Sequence, residues 1–196
     1  MRQIVLASTS PYRRQLLEQL QVPFIPAAPD FEEHIDPGVA PALLVRHLAL
    51  GKAQSLCEKY PDALIIGSDQ VFTDQRGRPL GKPGNHKTAA LQLQQMAGRT
   101  HTFFTGLALV DSRTGELQSD CAEFAVTFRP LTALQIDNYL RREQPYDCAG
   151  SFKIEGLGIA LMERMAGEDY NALIGLPLIK LVAMLKNAGV DILGGY

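Results

Sequence analysis

The sequence predicts an α/β fold built on a mixed sheet, and three observations carry that prediction. Apolar strand-like runs alternate along the chain with helical patterns, the order expected of layered α/β proteins. The continuous apolar run Ala63-Leu64-Ile65-Ile66 suits a strand covered on both faces. Two β-prone segments, residues 100–111 and 117–128, are joined by a turn at 112–115.

The elements follow in order. Residues 3–7 form a first buried strand. Ser10 then caps a helix with Pro11 at its first position, and Leu16, Leu17 and Leu20 give that helix its apolar face. Residues 23–29 are extended, and 32–41 form a polar loop rich in charge and proline. A long helix is expected over 41–59, with Leu44, Val45, Leu48, Ala49, Ala53 and Leu56 on one stripe. The strand at 63–66 ends in Gly67-Ser68-Asp69-Gln70, and a turn-rich stretch occupies 74–83. Residues 85–96 read as a helix stopped by Gly98. Thr132 caps another helix that ends near Arg142. Residues 150–158 are glycine-rich, 159–165 suit a strand, and 176–187 suit a last helix before Gly189. No internal repeat or long linker divides the 196 residues, so one domain is expected.

Composition narrows the function. Nineteen basic and 21 acidic residues leave a net charge of −2, with no basic stripe to attract nucleic acid. The longest strongly apolar stretches, 63–66 and 157–162, fall far short of the ~20 residues that cross a bilayer. The first residues lack the apolar region of a secretory signal. Cys57, Cys121 and Cys148 form no CxxC pair, which fits small hydrophobes in a reducing cytoplasm.

Candidate chemistry gathers at element ends. Ser8, Ser10 and Arg13 surround the start of a helix, where free N–H groups attract anions; an ordinary serine cap with solvated arginines would look the same. Lys52 lies at the edge of the long helix's apolar stripe, either snorkelling to water or turned beside the core. Asp69 follows an apolar strand, at the carboxyl end where open α/β sheets bind ligands, so it is a cap or a catalytic group. The spacing from Gly77 to Lys82 rejects a Walker loop, because only three residues separate the glycines and Pro83 follows the lysine. Lys82 remains a candidate phosphate cation. Glu32 and Glu33 can hold a hard cation or simply face solvent. The four histidines match no metal spacing, and no G-x-S-x-G frame surrounds Ser8 or Ser10. Three cations with two acids suit a polyphosphate accompanied by a divalent metal.

Taken together, Leu6-Ala7-Ser8-Thr9-Ser10-Pro11-Tyr12-Arg13-Arg14, Gly51-Lys52-Ala53, Ile66-Gly67-Ser68-Asp69-Gln70, Gly81-Lys82-Pro83, Thr105-Gly106, the run from Ala149 to Gly156 and Ile174-Gly175-Leu176-Pro177 resemble the Maf-like nucleotide pyrophosphatases over nearly the whole chain. The resemblance implies an elongated twisted mixed sheet flanked by helices, in two lobes around a central cleft, related to the inosine triphosphatases. It implies hydrolysis of a nucleoside triphosphate to the monophosphate and pyrophosphate with Mg²⁺ or Mn²⁺, and a homodimer. By position, Asp69 is the base that activates water and a metal ligand with Glu33. Ser8, Ser10, Arg13, Lys52 and Lys82 hold phosphates.

The resemblance also bears on the base. Members acting on dTTP and UTP carry Arg, Thr and Gln where this chain has Tyr12, Gln70 and Glu155. The subfamily acting on 7-methyl-GTP has an aromatic residue, commonly Trp, then Gln and Glu. N7-methylation makes guanine cationic, so an aromatic face at Tyr12 attracts it by roughly 0.5–2 kcal/mol. Glu155 can accept from the guanine N1–H and N2–H₂ edge, and Gln70 can add an amide contact. The leading expectation is a housecleaning 7-methyl-GTP pyrophosphatase that keeps modified nucleotides out of RNA. The alternatives are the same chemistry on dTTP and UTP, or a nucleotide-binding regulator of septum formation.

Overall fold

The computed structural model describes residues 2–34 and 38–194; part of the polar loop expected at 32–41 lies outside them. Twelve elements are labelled in chain order. They are β1 (Gln3–Ala7), α1 (Pro11–Glu18), β2 (Ile25–Ala27), α2 (Pro41–Gln54), β3 (Ala63–Thr73), α3 (His86–Met96), β4 (Thr100–Asp111), β5 (Leu117–Phe128), α4 (Ala133–Glu143), β6 (Met162–Gly167), α5 (Tyr170–Ile174) and α6 (Leu178–Asn187).

The strands form one sheet in the order β2-β1-β3-β4-β5-β6. β1 pairs in parallel with β2 and β3, and β5 pairs antiparallel with β6, so the sheet is mixed as expected. The chain divides into two compact units. The first holds residues 1–70, 104–122 and 169–196, and the second 71–103 and 123–168. β3, β4 and β5 each contribute to both.

In the first unit, strict alternation along the strands builds two apolar layers. Ile4, Leu6, Leu64, Ile66, Leu107 and Leu109 point to the side of α1 and α6, where they meet Leu16, Leu17, Leu181 and Leu185. Val5, Ala7, Ala63, Ile65 and Val110 point the other way, onto Ala53 and Leu56. Both faces of this part of the sheet are therefore covered, which is why 63–66 is apolar without a break. In the second unit the core is aromatic. Phe72 stacks on Phe103 with centroids 4.2 Å apart, and Phe152 meets Phe72 and Phe128 edge-on at 5.6 and 5.3 Å.

Four boundaries differ from those expected. β3 does not end at Ile66 but continues to Thr73, because Ser68 and Asp69 find buried partners and Val71, Phe72 and Thr73 are themselves buried. α2 stops at Gln54 rather than 59. Leu56 and Cys57 then bond three residues back, a tighter turn than an α-helix makes. β6 begins at Met162 because 157–161 wind as a 3₁₀ turn. The last helix, α6, begins at Leu178 rather than 176, and an additional short helix, α5, precedes it, ended by Gly175 at φ 130°. The caps at Ser10 and Thr132 form as the sequence indicates, the latter as a full capping box with Gln135, and Asn85, expected as the first helical residue, instead caps α3.

Candidate active site around Asp69

β3 presents its polar residues alternately to the two layers. Gly67 and Asp69 face α2, whereas Ser68 and Gln70 face the segment 172–175. Asp69 therefore lies within the strand and not beyond its end, as the shorter strand expected from sequence would have it. Asp69 is 8% exposed, and its carboxylate bonds the ammonium of Lys52, a residue itself 7% exposed. The same ammonium meets Glu33 Oε1 at 2.6 Å. Lys52 does not snorkel. It stands in the last turn of α2, its charge neutralised by two carboxylates from separate segments.

Glycine sets the distance between α2 and the sheet. A Cβ on Gly67 would lie 2.0 Å from the Ala49 carbonyl oxygen, and one on Gly106 would lie 2.0 Å from that of Val45. Two neighbouring strands thus let the helix backbone rest directly on them, and Lys52 reaches Asp69 for that reason. Gly67→Ala forces α2 outward. The expected cost is about 1–3 kcal/mol of overpacking in chemical denaturation, together with reduced turnover; unchanged stability and rate would mean that the helix yields freely.

Arg13 enters the same neighbourhood from α1. Its Nε donates to the Gly175 carbonyl at 2.9 Å. Burial pulls the Arg13 guanidinium below its ordinary pKa, opposed by the negative charges of Asp69 and Glu33. Ser8 Oγ accepts from the Ser10 N–H at 3.1 Å, and Ser10 Oγ accepts from the Arg13 N–H at 3.4 Å. Each hydroxyl keeps its own hydrogen to donate to an anion. Burial also raises the Asp69 carboxyl above the ordinary aspartate range; Lys52 and Arg13 oppose that shift, and Glu33 adds to it.

Gln70 has a different setting. Its side-chain nitrogen lies 2.9 Å from Thr105 Oγ1, 2.8 Å from the Ala172 carbonyl and 3.0 Å from that of Leu173. Its amide N–H groups are thus engaged in anchoring α5. Ser68 Oγ lies within bonding distance of the Gly106 and Gly175 carbonyls, and Thr105 donates to Ala172. Nothing local in the sequence marks Ser68 or Thr105 for a role of its own. They are fully buried hydroxyls on strands, and they hold the carbonyl segment that orients Arg13. Tyr12 is 38% exposed on the first turn of α1.

Lys82 and Glu155 belong to the second unit, and both are exposed there. The loop of Lys82 is tied down through the Gly81 carbonyl, which accepts from Gly150 N–H at 3.4 Å and Gln92 Nε2 at 3.2 Å. The loop of Glu155 is clamped on both sides by α4. Tyr139 Oη accepts from Lys153 N–H at 3.1 Å, and Glu143 Oε2 accepts from Leu157 N–H at 2.6 Å. Both side chains therefore project from braced backbone.

Among the described residues, no three His, Cys, Asp or Glu side chains are grouped to hold a metal. Glu33 and Asp69 nevertheless bring two hard oxygen donors to one cation, Lys52 Nζ. That donor set fits Mg²⁺, which commonly takes one or two carboxylates and completes its shell with water and substrate phosphate. The Cys57, Cys121 and Cys148 thiols are each only partly buried. No helix among the described residues is long and apolar enough to cross a membrane.

Comparison with known proteins gives the chain's relatives. A family described as "Maf-like protein" matches residues 3–188. A protein of Syntrophotalea carbinolica named 7-methyl-GTP pyrophosphatase is 60% identical over 194 residues, 99% of this chain and 98% of the relative. One of the same name from a Polaromonas species is 54% identical over 189 residues, 96% of this chain and 86% of the relative. Among solved structures, a HAM1 protein from Coxiella burnetii superposes with a TM-score of 0.54 at 15% identity, over 95% of this chain and all of that one. The Ham1 protein of Staphylococcus aureus gives 0.50 at 11% identity, over 95% of this chain and 99% of its own. These two likenesses concern the fold: a central twisted sheet flanked by helices.

Proposed function

The chain belongs to the Maf-like family, and from that premise we propose that it hydrolyses 7-methyl-GTP to 7-methyl-GMP and pyrophosphate. Nucleoside triphosphate pyrophosphatase activity in general is established by its relatives. The finer reading rests on the name those near full-length relatives carry, together with Tyr12 and Glu155. The observation that carries the chemistry is the buried Asp69 carboxylate, paired with Lys52 and within the field of Arg13.

In this mechanism Asp69 accepts a proton from water as that water attacks the α-phosphorus. The bond from the α-phosphorus to the bridging oxygen breaks, and pyrophosphate leaves with the electron pair. Arg13, Lys52 and Lys82 balance the charge that builds on the departing group, and the Ser8 and Ser10 hydroxyls donate to phosphate oxygens. A divalent cation held by Glu33 and Asp69 would add charge neutralisation at the phosphates. Glu155 accepts from the guanine edge, and its negative charge favours a cationic base. Tyr12 offers its ring face to that base. Gln70 acts through α5, which it anchors. Removal of a methylated nucleotide before RNA synthesis is the cellular role this selectivity serves.

The test is pyrophosphate release across GTP, 7-methyl-GTP, dTTP, UTP and CTP, with Mg²⁺ and then Mn²⁺. The expected result is a strong preference for 7-methyl-GTP. Glu155→Gln should lower kcat/KM for it by about 10–100-fold, the worth of one charge-assisted hydrogen bond, while GTP turnover changes less. A preference for dTTP or UTP would overturn the base assignment and leave the Asp69 chemistry standing.

A further inference from the structure

Gln92 stands on α3, partly buried, and both ends of its side-chain amide are engaged. Nε2 donates to the carbonyl of Gly81, the residue before Lys82, at 3.2 Å. Oε1 accepts from Ser151 Oγ, in the loop that leads to Glu155. The Gly150 N–H closes the ring by donating to the same Gly81 carbonyl at 3.4 Å. One side chain thus ties the loop carrying Lys82 to the loop carrying Glu155, and all of these residues belong to the second unit.

Ser151 supplies an independent observation. It is fully buried at φ 64°, in the left-handed region that glycine takes freely and other residues take at a cost. Gly150 before it lies at φ 74°, where a Cβ would come within 2.4 Å of the Phe72 ring. Glycine therefore serves for shape at 150, whereas 151 bears strain and carries a hydroxyl. That hydroxyl bonds Gln92. Farther along, α4 clamps the Glu155 loop by itself, through Tyr139 at Lys153 and Glu143 at Leu157. Gln92 holds it to the Lys82 loop.

We propose that Gln92 is a positioning residue, which with Ser151 keeps the loops of Lys82 and Glu155 in register for one nucleotide. This rests on the phosphate and base roles given to those two residues above. Gln92 touches neither phosphate nor base; it acts through the groups that do. The test measures kcat and KM of the full chain on the nucleotide panel above, for Gln92→Met, Lys82→Met, Glu155→Gln, Ser151→Gly and the double variant Gln92→Met/Lys82→Met. Methionine keeps the length of glutamine and loses both bonds.

Gln92→Met should lower kcat/KM for the preferred nucleotide by about tenfold, the worth of one or two neutral hydrogen bonds, and should narrow the preference for that nucleotide over the others. In the Lys82→Met background the same substitution should cost about threefold or less, because one group it positions is gone. Ser151→Gly should narrow the base preference too, although glycine relieves the backbone strain and holds or raises the urea midpoint. A merely structural role predicts otherwise: loss of folded protein lowers kcat alike for every nucleotide and leaves KM and base preference unchanged. Three outcomes overturn the proposal: KM and base preference unchanged in Gln92→Met, fully additive losses from Gln92 and Lys82, or parent kinetics in Ser151→Gly. Failure of the underlying reading shows separately, as parent kinetics in Lys82→Met or Glu155→Gln, and takes the proposal with it.

Discussion

Asp69→Asn is expected to lower kcat by about 10²–10⁴-fold, the usual worth of a positioned general base, while nucleotide still binds. Asparagine keeps the shape of the side chain and can still face Lys52, but it cannot take a proton from water. The pH profile supplies an independent check. Burial raises the Asp69 carboxyl above the ordinary aspartate range. The active form is the carboxylate, so activity should climb as pH rises through that displaced value, and the acid limb should lie above the range of a solvated aspartate. Stability moves the opposite way. The folded state holds this proton more tightly than the unfolded state, so the contribution of Asp69 falls between the ordinary pKa and the raised one. Wild-type turnover in the Asn variant would remove Asp69 from the role of base. A cellular effect on septum formation that survives the substitution would have a non-enzymatic origin.

Lys52→Met should be the most damaging single change for folding. Its ammonium is the shared partner of Glu33 and Asp69, and the Lys52–Asp69 pair is buried. Methionine fills the same space and leaves a buried carboxylate without its countercharge. Breaking such a pair from one side costs about 3–5 kcal/mol, measurable as a lower midpoint in urea at unchanged slope. The double variant Lys52→Met/Asp69→Asn removes the stranded charge as well and should recover much of the loss. A double variant no more stable than the single one would show that the damage comes from packing and not from charge.

Much of this was legible in the sequence because it is local. The serine-proline start of α1, the threonine cap of α4 and the extents of β4 and β5 depend on neighbours within a few residues. What escaped depends on partners far along the chain. α5 has five residues, too few to show a helical period. The polar run Ser68-Asp69-Gln70 resembles a strand end until Lys52, Gly175 and the carbonyls of α5 are seen to satisfy it. Lys52 at the edge of an apolar stripe reads more readily as snorkelling than as buried, and its pairing with Asp69 and Glu33 overturns that reading. Gln70 stands next to Asp69 in sequence but on the opposite face of β3, a consequence of the two-residue period of strands.

The first unit is discontinuous in the chain, and this affects synthesis. β1 is made well before α6, yet Ile4 and Leu6 share their apolar layer with Leu176, Leu178, Leu181 and Leu185 far along the chain. A ribosome extends a chain by roughly 5–20 residues each second, so that side of the nascent sheet waits many seconds for its cover. The second unit, whose two segments both precede α6, can be complete while its neighbour is still half built. The apolar face of β1 is therefore where a holding chaperone would meet this protein during translation.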